Sequence, residues 1–189
     1  MSTQTTAATP AQHVNGVDVA QVTQVIQSIQ ADASFGQFQF RARNQWHGGA
    51  LNRSEFQDYS GANTELSRAQ PFHFDNDEPP LLDGGDQAPN PVEYLLHALA
   101  GCLTTSLVYH AAVRGIEIAS CESQLEGDID LRGLFGLADD VRKGYQAVRV
   151  VMQVKSAAST ATLQELASFS PVYEMVSTAV PVELTINKV

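Results

Sequence analysis

The residue of this chain best suited to nucleophilic chemistry is a cysteine inside a long apolar segment. Cys102 lies within NPVEYLLHALAGCLTTSLVYH, residues 90–110. On a helix it would share one seam with small, hydroxyl and apolar side chains, namely Leu95, Ala98, Leu99, Thr105, Ser106, Tyr109 and Val113. Small neighbours leave room for a substrate or for a second helix. The pattern therefore allows two interpretations, a reactive thiol or a small apolar residue of the core.

A reactive cysteine needs a nearby positive charge, because the thiolate is the nucleophile. The predicted helix N-terminus at Asn90 is too distant from Cys102 for its dipole to act. No cationic residue is close to the cysteine in sequence. An activating arginine would have to come from the early strands, which carry Arg41, Arg43 and Arg53.

The second cysteine, Cys121, lies in a predicted strand between Ser120 and Glu122. It can serve as an apolar filler, lie at the surface as a free thiol, or pair with Cys102. Two cysteines in 189 residues do not make a disulfide scaffold. The five histidines are scattered, and no Cys/His spacing resembles a zinc site. We therefore expect no metal and no cofactor.

The composition indicates a folded, soluble and acidic protein. Hydrophobic residues make up 43% of the chain, charged residues 17%, and the formal net charge is −10. Such a charge disfavours binding to nucleic acid and to anionic membrane surfaces. The first residues lack the features of a secretory signal, and no apolar run approaches the roughly 20 residues that span a bilayer. The sequence thus predicts a cytoplasmic protein that contacts neither nucleic acid nor membrane.

The first half of the chain predicts a tail, a helix and three strands. Residues 1–16 are rich in Thr, Ala and Gln and predict a disordered tail, and residues 17–189 a single domain. Apolar residues at helical spacing predict a helix over 17–31. Alternation then predicts a strand over 37–46, a second after the HGG turn to about residue 59, and a third over 69–75. Residues 75–90 contain Pro-Pro, Gly-Gly and five acids, and predict a solvated loop.

The central segment predicts a helix of about 24 residues. Asn90 is a suitable N-cap, Pro91 suits the first helical position, and Glu93 can complete a capping box. Arg114 and Gly115 mark the C-terminus. Leu, Ala or Val occur on every side, so we expect the helix to be buried all round.

The remaining segments complete an α+β fold. Strands are predicted over about 116–131 and 146–156, separated by an irregular insert. Two helices follow over 160–170 and 171–179, with a last strand over 181–189. The predicted order after the helix at 17–31 is three strands, the long helix, two strands, two helices and one strand.

The segment NPVEYLLHALAGCLTTSLVYHAAVRGIEI resembles the central helix of the OsmC/Ohr family. In that family a Cys follows the Pro of an N-P-x-E-L-L-type opening by about eleven residues, as Cys102 follows Pro91. WHGG, GYQAVRVVMQVKS and SPVYEMVSTAVPVELTI resemble further family segments. The resemblance covers about residues 37–188, and the helix at 17–31 is an addition to it.

The resemblance implies a swapped homodimer with two long central helices packed back to back. It also implies peroxiredoxin-like chemistry, in which the helix Cys attacks an organic hydroperoxide. In such members an Arg from the early strands lowers the pKa of that Cys, a Glu holds the Arg, and a second Cys resolves the sulfenic acid.

This chain departs from the family pattern at two positions. Ser170 occupies the position of the resolving Cys, and Val92 occupies that of the Glu that follows the Pro. Glu93, one residue later, would point away from Cys102 on a continuous helix, which favours a capping role. Arg53 is the candidate for the activating cation.

The first functional hypothesis is a thiol protein of oxidative-stress defence, in which Cys102 reduces organic hydroperoxides. An external thiol would then act as reductant, with Cys121 as the alternative resolving residue. The second hypothesis is a non-enzymatic dimer that binds a small apolar ligand between its subunits or acts as a redox sensor.

Overall fold

The computed structural model describes residues 13–178, which contain eight strands and five α-helices in chain order. The order of elements is mixed α and β, as predicted. The chain divides into two compact units, Met1–Leu95 and Leu96–Val189. The single domain predicted over 17–189 stays a prediction.

The first unit opens with a short hairpin and a helix. Strands β1 (His13–Val14) and β2 (Val17–Asp18) pair through a turn in which Asn15 and Gly16 both have positive φ. Helix α1 spans Val19–Ala31, and the Asp18 carboxylate accepts a hydrogen bond from the backbone N–H of Gln21. The hairpin corrects the tail predicted over 1–16 at its last four residues. Residues 1–12 lie outside the described residues.

Four antiparallel strands form the main sheet of the first unit. They are β3 (Gln39–Phe40), β4 (Arg43–Gly48), β5 (Leu51–Gly61) and β6 (Thr64–Asn76). Strand β5 pairs with the other three. The predicted first strand is interrupted at residues 41–42, and the predicted third strand begins five residues too late. The sequence analysis missed the tight turn at Ala62 and Asn63, where both residues have positive φ.

The loop between β6 and the central helix is organised by one buried carboxylate. Asp77 is only 2% exposed and accepts hydrogen bonds from the backbone N–H groups of Glu78, Gly85 and Gln87 at 2.9, 3.0 and 3.1 Å. These bonds hold the pKa of Asp77 below its usual value. A Cβ at Gly84 would clash with the backbone carbonyl of Glu78, so the loop requires glycine there. The prediction of a wholly solvated loop is therefore wrong at Asp77.

We expect Asp77→Asn to lower the melting temperature at about pH 7, because an amide nitrogen cannot accept a bond from a backbone N–H. The carboxylate stabilises the fold above the pKa of an unfolded aspartate, and this contribution is lost as the pH falls through the lower folded-state pKa. Thermal unfolding should therefore show the melting temperatures of the two proteins converging as the pH falls through the folded-state pKa of Asp77. Asp86→Asn, an exposed change in the same loop, is the control. An equal effect of both substitutions would contradict this role.

The second unit is built around helix α2, which spans Pro91–Val113 and begins in the first unit. The elements that follow are β7 (Ile118–Asp128), α3 (Leu131–Leu134), β8 (Ala147–Ser156), α4 (Thr160–Ser168) and α5 (Pro171–Ser177). Strands β7 and β8 form an antiparallel pair. These bounds agree closely with the predicted elements. The predicted strand over 181–189 lies outside the described residues.

One face of α2 supplies the core of the second unit. Leu99, Leu103, Leu107 and Ala111 recur every fourth residue and cluster with Leu166 and Ala167 of α4. Apolar side chains of β7, β8 and α5 pack against this cluster. The prediction that α2 is buried all round is wrong for the single chain, because these neighbours cover only one side of the helix.

Helix α2 is also long and apolar enough to cross a membrane, the only such helix among residues 13–178. The expectation that no apolar run approaches the length that spans a bilayer is therefore wrong for this helix. A core helix of a soluble protein meets the same criterion, and the buried leucines give one face of α2 that role. Length and composition alone are weak evidence for a membrane span.

Candidate functional site

Both ends of α2 are defined by local hydrogen bonds. The Asn90 side chain accepts from the Glu93 N–H at 2.9 Å, and the Glu93 carboxylate accepts from the Asn90 N–H at 2.8 Å. This is the predicted capping box. At the other end Gly115 has φ +67°, and the N–H of Ile116 reaches the Ala111 carbonyl. The helix that carries Cys102 therefore starts and stops where the sequence predicts.

Cys102 is half-buried and lies on the flank of α2, beside the core face. Of the seam predicted around it, Leu99 belongs to the core. Leu95, Tyr109 and Val113 remain 40%, 50% and 39% exposed. The thiol is therefore set in an apolar surface stripe, formed by Leu95, Ala98, Cys102, Thr105, Tyr109 and Val113 and called the Cys102 stripe below. This placement favours access to the sulfur over inert burial in the core.

Glu93 has the capping role that the sequence favoured. Its carboxylate and its backbone N–H form the two hydrogen bonds of the capping box with Asn90. Val92 offers no acceptor side chain at the neighbouring position. Glu93 is therefore a residue that determines the start of α2.

Arg53 is held by a carboxylate of the neighbouring strand. Its Nε and Nη2 donate to the two oxygens of Asp75 at 2.6 and 2.7 Å, across the β5–β6 pair. This fork raises the pKa of Arg53 and lowers the pKa of Asp75. Tyr94, in the first turn of α2, donates its hydroxyl to the Asp75 carbonyl at 2.9 Å. The guanidinium is thus permanently charged and fixed in orientation, half-exposed at the sheet surface.

The other arginines of the early strands also have partners. Arg41 forms a fork with Glu65, and Arg43 lies 3.8 Å from Glu55. Within the second unit, Arg114, Arg132 and Arg149 bond to His110, Asp130 and Asp128. No arginine of the described part of that unit is hydrogen-bonded to the Cys102 sulfur. Activation of the thiol from within its own unit is therefore not supported.

Cys121 is an apolar filler in this fold. It lies on β7 opposite Val154 of β8, and its partly buried side chain packs against the core cluster. Both cysteines are free, so the predicted alternative of a Cys102–Cys121 disulfide is not realised in this structure. Cys121 is not the surface thiol that the sequence also allowed.

Ser170, which the family resemblance aligns with the resolving cysteine, has a structural role in this fold. It is only 1% exposed, and its hydroxyl accepts from the Tyr173 N–H at 3.1 Å as the N-cap of α5. A serine is a better N-cap than an apolar residue. Ser170 therefore determines the start of α5.

Sequence reasoning missed a cluster at the end of α2. The His110 ring stacks on Phe169 at 4.2 Å, and Arg114 lies 3.1 Å from His110 Nδ1. Partial burial, together with the Arg114 charge, lowers the pKa of His110. The spacing of His110 and Arg114, one helical turn apart, was the only sequence signal for this contact. The cluster joins α2 to the α4–α5 junction.

Comparison with protein families identifies the chain. The family model for OsmC-like proteins matches residues 84–185, more than half of the sequence. This chain belongs to the OsmC-like family. The matched segment includes Cys102, Cys121 and Ser170, and it begins after Arg53.

Solved OsmC-like structures share the fold of this family member. An OsmC-like protein from Mycoplasma pneumoniae is 14% identical, with a TM-score of 0.56, over 75% of this chain and 89% of that chain. An OsmC-like protein of unknown function from Vibrio cholerae is 12% identical, with a TM-score of 0.54, over 74% and 94%. Curated protein sequences gave no match. These identities establish the fold alone.

Proposed function

We propose that this OsmC-like protein reduces organic hydroperoxides through Cys102 and acts in the oxidative-stress response. The observation that carries the proposal is the half-exposed thiol in an apolar stripe of α2, at the family position of the reactive cysteine. An apolar surface beside the sulfur favours an alkyl or aryl hydroperoxide.

In the proposed reaction, the hydroperoxide is reduced to an alcohol and water, and an external thiol supplies the electrons. The Cys102 thiolate attacks the distal peroxide oxygen, the O–O bond breaks, and the alkoxide leaves as the alcohol after taking a proton. Cysteine is thereby oxidised to sulfenic acid. One external thiol then attacks the sulfenic acid, forms a mixed disulfide with Cys102 and releases water. A second external thiol attacks the sulfur of the first, so that the reductant leaves as a disulfide and Cys102 returns to the thiol.

External reduction is favoured because the chain offers no resolving partner at the usual place. Ser170 caps α5, and Cys121 is engaged in the core of the second unit. Neither residue suits a disulfide with Cys102. The sulfenic acid would therefore persist until a small thiol or a thiol protein reaches it.

Arg53 is the cation that we assign to thiolate stabilisation. It comes from the early strands, as in the family pattern, and Asp75 holds it by two hydrogen bonds as the family's Glu holds its Arg. A fixed guanidinium favours a thiolate without being consumed. Asp75 thus takes the role for which the sequence analysis considered Glu93.

A homodimer is proposed to cover the end of the Cys102 stripe at Tyr109 and Val113, with the thiol at the edge of the interface. A second copy of α2 would remove these two exposed apolar side chains from water. The implied swapped dimer of the family has this packing.

We place the protein in the cytoplasm, where two free thiols stay reduced.

We expect Tyr109→Glu to convert a dimer to monomers at micromolar concentration, because it places a charge within the apolar stripe. Sedimentation velocity measures the change. Leu134→Glu is the control, since Leu134 is 57% exposed and lies on α3. A Tyr109→Glu protein that remains dimeric would exclude this surface as the interface.

The catalytic proposal is tested by measuring hydroperoxide consumption first without a reductant, for a single turnover, and then with one, for multiple turnovers. Without a reductant, the protein should consume about one equivalent of cumene hydroperoxide per chain and then react with dimedone at Cys102. Dithiothreitol should convert this single turnover to continuous consumption. An intramolecular disulfide with Cys121, found by mass spectrometry, would overturn external resolution. Absence of hydroperoxide consumption with every thiol would overturn the enzymatic proposal.

A further inference from the structure

A cavity of about 680 Å³ opens in the second unit, beside α2, β8, α4 and α5. This volume lies in the range of about 300–1,000 Å³ that small-molecule sites occupy. The cavity is lined by residues of this one unit. It is independent of the catalytic proposal, because Cys102 is not among its lining residues.

The interior of the cavity is apolar and firmly supported. Leu103 and Leu107 of α2 contribute to its wall and belong to the buried core. Met152 of β8 and Leu163 of α4 also line the cavity, and both pack against that core. Methionine adapts to ligands of different shape. A hydrocarbon chain would therefore contact chiefly Met152 and Leu163, which are partly buried and pack against the nearly inaccessible Leu103 and Leu107 of the core.

The polar groups of the cavity are neutral. Thr160, Gln164 and Ser168 of α4 and Gln153 of β8 supply hydroxyl and amide groups. None of the described residues that line the cavity carries a formal charge. A charged head group would lose water without gaining a counter-ion, which is costly. A hydroxyl or amide head could exchange its water for these side chains.

We infer that this cavity binds an uncharged amphipathic molecule, with an alkyl chain against the leucines and methionine and a hydroxyl or amide at the rim. Cys102 and its stripe lie on another flank of α2 from Leu103 and Leu107. A dimer formed through the stripe would use a different flank of α2 from the one that lines the cavity. The site therefore differs from a ligand site between subunits.

The binding test uses N-phenyl-1-naphthylamine, a neutral apolar fluorophore, with the full chain. Its fluorescence should rise to saturation at one probe per chain. 1-Decanol should displace it at a concentration about tenfold lower than decanoate or decylammonium, because each ion loses hydration on entry. Absence of saturable binding, or equal competition by alcohol and ions, would overturn the inference.

Two variants locate the probe. Leu163→Trp fills the cavity and should weaken probe binding about tenfold or more. Ala161→Trp adds the same side chain on the exposed side of α4 and should leave probe binding unchanged. Equal effects of the two variants would place the probe elsewhere. Circular dichroism and thermal unfolding establish that both proteins are folded.

Gln164→Glu provides a second test that does not depend on filling the core. Gln164 is exposed and lines the cavity, so the substitution should fold normally and place a negative charge at the rim. Decylammonium should then become the better of the two ionic competitors. Unchanged competition would overturn the assignment of the head group. Cys102→Ser should bind the probe like wild type, which separates this result from that of the peroxidase test.

Discussion

Cys102→Ser is expected to lower the rate of organic hydroperoxide consumption by about a thousandfold or more. The reason is chemical, because a serine hydroxyl neither ionises at neutral pH nor accepts an oxygen atom to form a sulfenic acid. Stopped-flow measurement with cumene hydroperoxide and excess dithiothreitol determines the rate. The residual rate should equal that of the thiol alone.

Cys121→Ser is the matched control for this experiment, since it removes the other thiol of the chain. Cys121 packs against the core and takes no part in the proposed cycle, so the rate should stay within about twofold of wild type. A large loss of rate in the folded Cys121 variant would assign the reaction or its resolution to that residue. Equal rates for wild type, Cys102→Ser and Cys121→Ser would show that Cys102 takes no part in the mechanism.

The second large effect is expected on stability. Leu99→Ala should lower the free energy of unfolding by about 3 kcal/mol, because it removes three carbons from a side chain that is only 2% exposed and leaves a void. Leu99 is a member of the core cluster on α2 and does not line the open cavity. Urea unfolding at a fixed protein concentration measures the change.

Leu134→Ala on α3 provides the comparison, since Leu134 is 57% exposed. Its effect should stay below about 1 kcal/mol, because little apolar area is removed from the interior. Similar losses for the two variants would mean that the face of α2 carrying Leu99 is not the buried one. The pair of variants therefore tests the assignment of faces on α2.

The ends of α2 could be predicted because they depend on neighbours in sequence. The capping box of Asn90 and Glu93 and the glycine at 115 act over a few residues. The same holds for β8, whose strict alternation of half-buried and exposed residues is already visible in the sequence. Cys102 and its family resemblance were likewise identified from a local motif.

The sheet of the first unit was predicted less well, because its register depends on turns with positive φ. Residues 62–63 form such a turn without the Asn-Gly or Asp-Gly pair that usually marks it. The longer β6 that results places Asp75 opposite Arg53. No spacing rule joins residues 22 apart, so this ion pair could not be found from the sequence.

The amino-acid pattern alone was enough to predict the family, the α+β order of elements, the two ends of α2 and the cysteine that it carries. The buried face of α2 could be assigned only from the packing of the folded chain, because an all-round apolar helix has no periodicity that distinguishes its sides. The folded structure also shows that the Asp77 carboxylate accepts hydrogen bonds from its own loop, that Ser170 is the N-cap of α5, and that Asp75 holds Arg53. The Arg53–Asp75 pair joins strands 22 residues apart, which local patterns do not encode. The bonds of Asp77 and Ser170 are local, but only the packing of their surroundings shows that these two side chains are buried.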